Sequence, residues 1–405
     1  MKTTYTSIMK FVFVSLLVTP LFIPVALPQE AQASGWVTTI GGEDYDHGRS
    51  VQQTTDGGYI IAGTTSSYGS GNSDIYLIKT NANGDIEWQK TFGGNNNDNG
   101  FSIQQTADGG YIIVGDTYSY GTGGSDVYLI KTNEFGNAEW QRTFGGGGNE
   151  EGHSVQQTTE GDYIIAGDTS SYGSGNSDVY LIKTNANGDL EWQKTFGGKD
   201  NDYGYSVKQT TDGGYIITGG TYSYGFGERD VYLVKTDAFG SAEWEKTFGG
   251  EDIDEGFSVQ QTTDGGYIIV GDTESYGAGD YDVYLAKTDA SGNKVWQKTF
   301  GGEGADVGYS AHQTTDGGYI IAGTIGIYGF YGYFLYYDLN VYLVKTDASG
   351  NKVWQKTFGG EVVDVGYSAQ QTSDGGYIIA GDTYSYGAGD YDVYFIKTDE
   401  YGNTE

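Results

Sequence analysis

The chain has 405 residues, 69 of them glycine and none cysteine, and its 54 acidic against 21 Lys and Arg residues leave a formal net charge of −33. That charge repels nucleic acid and anionic membrane surfaces. The absence of cysteine excludes disulfides and lipid-modified cysteine anchors, so stability must come from burial and hydrogen bonding.

Residues 1–33 differ from the rest. Lys2 and Lys10 precede an apolar run from Phe11 to Leu27, and Ala31-Gln32-Ala33 offers small residues for cleavage. This pattern predicts a secretory signal peptide over 1–33 and a single domain over 34–405 in a secreted or cell-surface protein. An uncleaved anchor is the alternative, because the run approaches the lower limit for spanning a bilayer. Pro20, Pro24 and the Ala-Gln-Ala site favour cleavage, after which no membrane insertion is expected.

The segment that follows opens on Trp36-Val37-Thr38-Thr39-Ile40-Gly41-Gly42, which is repeated as Trp88-Gln89-Lys90-Thr91-Phe92-Gly93-Gly94. Between the two copies lies one repeat unit. Ser50 to Thr54 reads as a short strand closed by the tight turn Asp56-Gly57, and Tyr59 to Thr64 as a second strand. A Gly/Ser/Asn loop leads to a third, Ile75 to Thr80, and Asn81-Ala82-Asn83-Gly84 turns the chain into a fourth, Ile86 to Phe92. The unit recurs seven times. Its Asp-Gly-Gly-Tyr tetrads begin at Asp56, Asp108, Glu160 (as Glu-Gly-Asp-Tyr), Asp212, Asp264, Asp316 and Asp374, a spacing of 52 residues except for one of 58.

The second and third strands are apolar at consecutive positions, so both faces of each small sheet need cover. No segment carries a helical period, and the covering surface is therefore the next copy of the same sheet. This predicts an all-β fold, a seven-bladed β-propeller of four-stranded antiparallel blades, with an open β-solenoid as the competing repeat architecture. The chain stops at Glu405, before a seventh fourth strand, and residues 36–42 supply one. That exchange fits a closed ring.

Repeats of the form W-x-K-T-F-G-G, D-G-G-Y-I and D-V-Y-L-x-K-T-D-x-x-G resemble the tandem β-propeller repeats of secreted bacterial and archaeal proteins, and are more distantly similar to Kelch and WD40 blades. The resemblance covers the whole segment after the leader. It implies a propeller that serves as a binding or interaction scaffold, without naming a ligand.

Recurring residues divide into structural and candidate functional sets. The seven tryptophans, from Trp36 to Trp354, open the outermost strands and are expected to wedge between blades, with sugar-stacking platforms as the alternative. Lys79, Lys131, Lys183, Lys235, Lys287, Lys345 and Lys397 end the third strands and are expected to pair with nearby carboxylates. An acidic residue precedes each first strand: Asp46, Asp98, Glu150, Asp202, Asp254, Asp306 and Asp364. With Asp44, Asp200 and Asp252 beside them, Asp46, Asp202 and Asp254 form D-x-D pairs whose oxygens suit calcium, although the loops are short for a full cage. The competing expectation is that each carboxylate caps its own turn. No other cofactor is implied.

Catalytic signals are weak. His47 reads as a loop residue, His153 and His312 lie along first strands, and no serine elbow precedes a helix. The sixth copy breaks the symmetry between its second and third strands, where Ile325 to Asn340 forms a longer, apolar loop carrying Tyr328, Phe330, Tyr331, Tyr333, Phe334, Tyr336 and Tyr337. Such a patch predicts a partner surface, or a plug over the channel. The expected function is a non-catalytic scaffold, monomeric, binding an extracellular glycan or protein. A polysaccharide-acting hydrolase or lyase using carboxylates and a structural surface or matrix protein are the alternatives.

Overall fold

The computed structural model describes residues 35–404 apart from 332 and 333, and the side chains of 327–337 also fall outside the described set. The expected leader over 1–33 lies outside the described residues. Seven four-stranded antiparallel sheets follow one another. The chain is a seven-bladed β-propeller.

Blade one shows how sequence becomes strand. Strand β1 (Trp36–Ile40) belongs to blade seven, and blade one runs through β2 (Asp46–Gln53), β3 (Tyr59–Thr65), β4 (Asp74–Thr80) and β5 (Ile86–Phe92). Along β3, Ile61 faces a cluster shared with Ile378, Val393 and Phe395 of blade seven, while Ile60 faces Ile103, Ile113 and Ile130 of blade two. Consecutive apolar residues thus serve opposite faces, and β3 and β4 are buried along their whole length. Each interblade cluster is capped by a tryptophan from one blade packed edge-on to the first tyrosine of the next, as in Trp36 on Tyr59 (6.1 Å) and Trp88 on Tyr111 (5.9 Å). The tryptophans are interblade wedges.

Two features differ from the sequence expectation. First strands begin about four residues earlier than Ser50 implies, because Asp46 to Arg49 already belong to the strand. A Cβ on Gly48 would lie 2.7 Å from Val393 Cγ1 and 2.9 Å from Gly381 O of blade seven, so glycine permits the close approach of blades. The following residue, Arg49, sits in a β-bulge between Gly48 and Ser50. His47 is consequently a strand residue, not a loop residue. The second difference is in blade six, where the expected loop is an extended hairpin. Its strands Tyr319–Tyr331 and Phe334–Thr346 pair in register from Ile325 with Asn340 out to Tyr331 with Phe334. Isoleucine and aromatic residues favour that extension of the ladder over an irregular loop.

The lysines at the ends of third strands are more buried than surface pairs would be. Lys79 is 3% exposed and donates to Asp56 (2.9 Å), Glu87 (3.0 Å) and the carbonyl of Thr80. Burial alone would raise the partner carboxyls, but the Thr106 hydroxyl and Lys131 bring Asp108 down to about 2.

The ring closes through β1, which pairs antiparallel with Asp392–Thr398 from Trp36 opposite Lys397 to Ile40 opposite Val393. Ile40 is 5% exposed within the cluster between blades seven and one. Deleting residues 36–42 should lower stability by several kcal/mol, roughly the scale of unpairing a strand and uncovering its apolar side chains. Ile40→Ala alone should cost about 2–4 kcal/mol. Urea melts measure both, and a truncated chain as stable as the full one would contradict closure.

Candidate functional site

First strands wall the central channel, and their side chains form successive levels along it. The second positions (His47, Glu151, Tyr203 and Glu255 among them) and fourth positions (Arg49, His153 and their counterparts) lie toward the end that carries the acidic residues and the blade-six hairpin. The fourth positions make a ring. Phe101, His153, Tyr205, Phe257, Tyr309 and Tyr367 follow one another at centroid separations of 5.0–5.4 Å, and the Arg49 guanidinium lies 4.0 Å over Tyr367. The channel is therefore narrowed by its own walls.

Above that ring the sevenfold symmetry fails, and acid–base pairs take its place. His47 Nδ1 lies 2.7 Å from Asp382, which also accepts from the Gly48 amide (2.9 Å) and lies 3.8 Å from Arg49. His153 Nε2 lies 2.9 Å from Asp168 and 3.8 Å from Glu151. Arg229 pairs with Glu255 at 2.6 Å, and the Tyr205 hydroxyl donates to the same carboxylate at 3.1 Å. Among the described residues Asp116, which accepts from Asn99 Nδ2 (3.3 Å), and Asp272 have no ion-pair partner: burial and the nearby Glu151 push Asp116 up to about 7, and burial and Glu255 push Asp272 up to about 8. Asp272 Oδ1 has no protein hydrogen-bond partner. Burial would lower the His153 pKa, but Asp168 and Glu151 raise it overall. Beside the mouth, Tyr45 stacks near His47 (6.3 Å) and Tyr391 (5.9 Å), with Tyr384 packed against Tyr391 and both Tyr45 and Tyr384 47% exposed.

The residues expected to bind metal hold hydrogen bonds within their own loops. Asp46 is fully buried, and its carboxylate accepts from the Thr65 hydroxyl, the Ser67 hydroxyl (2.7 Å) and the Gly42 amide (2.7 Å). Asp202 and Asp254 repeat this with Thr221, Ser223 and Gly198, and with Thr273, Ser275 and Gly250. Asp44, Asp200 and Asp252 are exposed or at the loop surface, their amides donating to the same serines. The buried carboxylates cap their own turns. Among the described residues, the group that brings three ligand atoms within 4.8 Å is Glu151, His153 and Asp168. An N/O-preferring divalent cation would find three donors there.

Of the hairpin aromatics, Tyr333 lies outside the described residues, as do the side chains of Tyr328, Phe330, Tyr331, Phe334, Tyr336 and Tyr337. Their backbone extends the ladder of blade six at the same end of the propeller as the mouth. The mouth itself is absent from the sequence expectation. Its signal was the variation at positions flanking the repeated glycine of the first strand, where Gly and Ser persist while His47, Glu151, Tyr203 and Glu255 replace one another.

A family model described as a domain of unknown function, DUF5122, of β-propeller type matches residues 54–87 and 161–191, parts of blades one and three. No curated protein matches the sequence. Solved structures similar to this chain are propellers of low identity. The WD40 domain of Neurospora crassa Pan2 aligns with a TM-score of 0.54 and 11% identity, over 88% of this chain and 89% of that one. The polysaccharide lyase Uly1 gives 0.50 at 12% over 90% and 92%, and YCF48 bound to D1 peptide gives 0.50 at 9% over 92% and 99%. These likenesses establish the fold alone.

A carboxyl whose folded pKa lies above its unfolded value destabilises the fold as it ionises, so Asp116 and Asp272 remove stability as the pH rises from about 4 through 8. His153, also raised, loses its contribution in the same direction as it deprotonates. Asp108, held at about 2, loses its stabilising effect only as the pH falls through that value. Melting temperature should therefore be highest at about pH 4 and fall toward pH 8. Asp272→Asn should flatten the fall between pH 6 and 8, and a wild-type melting temperature that rises over that window would contradict the assignment. For the capped loops, calcium should raise the melting temperature no more than sodium chloride of equal ionic strength. A saturable, calcium-specific rise that shrinks on Asp46→Asn would restore the metal reading.

Proposed function

We propose that this protein is an exported, non-catalytic glycan-binding propeller whose ligand sits at the channel mouth, flanked by the blade-six hairpin. The observation that carries this reading is the loss of sevenfold symmetry at one end of the channel. There, half-exposed tyrosines stand beside charged pairs, whereas the second and third strands repeat with little change. Sugars offer apolar C–H faces to aromatic rings and hydroxyls that both donate and accept. Tyr45, Tyr384 and Tyr391 provide the faces, and Asp382, His47, Glu151 and Asp168 the polar partners. The net charge of −33 favours a neutral or basic glycan over a polyanionic one. Export is supported by the leader pattern of residues 1–33. A monomer suits this reading, because β1 completes blade seven from within the same chain.

A polysaccharide-acting enzyme is the second reading, favoured by the Glu151, His153 and Asp168 cluster. A peptide or protein partner would use the same mouth.

An array of neutral and amino-sugar oligosaccharides separates these readings. The wild-type protein should bind a subset, and Tyr45→Ala with Tyr391→Ala should weaken binding roughly tenfold or more, the scale of removing two aromatic contacts. Shortening the hairpin by removing residues 328–337 should also weaken it. Binding unchanged in both variants would overturn the site, and cleavage of any bound glycan would establish the enzyme instead.

A further inference from the structure

On the other side of the aromatic ring the channel contains a cavity of about 140 Å3, walled by serines and by the seventh positions of first strands, among them Gln52, Gln104, Gln370, Lys208 and His312. In five blades the seventh position is glutamine, and its Oε1 accepts the backbone amide of the next blade. Gln105 N donates to Gln52 (2.7 Å), and the pattern recurs at Gln104, Gln156, Gln260 and Gln370. Each glutamine is thereby fixed with its Nε2 turned away from that amide, as a donor. The ring serines likewise accept a neighbouring amide, as Ser50 does from Ile103 N, which leaves their hydroxyl protons to donate.

The two exceptions are Lys208 and His312. The amide of Gln261, beside Lys208, and that of Gln371, beside His312, lack the glutamine acceptor that their counterparts use, which adds one backbone donor at each exception. No carboxylate among the described residues pairs with Lys208, although every lysine that ends a third strand has one. Lys208 and His312 are the titratable groups turned into this space, among neutral glutamines and serines; Arg49, His153 and the tyrosines lie one level above. Burial lowers the Lys208 pKa, and burial followed by the Lys208 charge brings His312 down to about 4. A cavity rich in donors, poor in acceptors and holding an uncompensated cation is complementary to an anion.

We propose that this cavity binds a small oxyanion between Lys208 and His312, at a site separate from the mouth and independent of whatever occupies it. The anion supplies the negative charge that the first strands omit, and binding draws a proton onto His312, since a bound anion offsets the burial and the Lys208 charge that keep it neutral.

Sulfate and phosphate are the probes, titrated into the protein against sodium chloride of matched ionic strength. The C–H proton resonances of the three histidines are followed across pH 3 to 8, and affinity is measured by calorimetry. The His312 titration should move upward saturably with sulfate or phosphate and not with chloride. Lys208→Gln places in blade four the residue that five other blades carry, so it should fold normally. It should weaken the anion roughly tenfold or more, as expected for losing a charge-assisted contact, and abolish the His312 shift. His312→Gln assigns the resonance and should retain weaker binding, while the exposed Lys199→Gln should bind as wild type. A His312 titration indifferent to sulfate and phosphate, or a Lys208→Gln protein that binds as tightly as wild type, would overturn the proposal.

Discussion

Every blade depends on burying both faces of a glycine-punctuated sheet. Strands such as Tyr59–Thr65 present apolar side chains to both sides, and one sheet of that kind cannot exist alone in water. Neighbouring sheets supply the cover, so Ile60 and Ile61 of a single strand enter cores belonging to different interfaces. A row of such sheets would still expose a face at each end. Closing the row into a ring removes both ends, and β1 completes the closure by joining the first residues of the domain to the last blade.

That same packing decides where chemistry can reside. Gly48 and Val51 of the first strand are committed to the interface between blades, whereas residues such as His47, Arg49 and Gln52 face the channel. Channel positions can change without disturbing any core, and these are the positions where the copies diverge. The outcome is two environments along one axis. One end gathers carboxylates with too few cations to match, so that Asp116 and Asp272 hold protons near neutrality. The other holds Lys208, which has no paired carboxylate among the described residues. Seven buried lysines at the ends of third strands show that the fold pairs its charges where structure alone is at stake.

Period, blade count and closure were legible because each is written repeatedly: the Asp-Gly-Gly-Tyr tetrad fixes the turn, and the Trp36 strand has visible copies. The capping role of Asp46 was one of two expectations, and its hydrogen bonds to Thr65, Ser67 and Gly42 show it. The start of the first strand was not legible, since Gly48 carries the residue type of a turn while its backbone is extended against the neighbouring blade. That single shift hid the mouth, because it assigned His47 and Asp46 to a loop. The Ile325 to Asn340 segment was misread for a related reason. Added length between strands signals a loop, yet its isoleucines and aromatics continue the ladder.

Hydrogen exchange at the β1 amides tests the central claim of a ring held shut by interblade burial most directly. If the ring is closed, the hydrogen-bonded amides among Val37 to Ile40 exchange only through global unfolding, as slowly as those of the buried strand Tyr377–Thr383. Exchange of the β1 amides orders of magnitude faster than in that strand would show a ring that opens at blade seven, and would contradict the account.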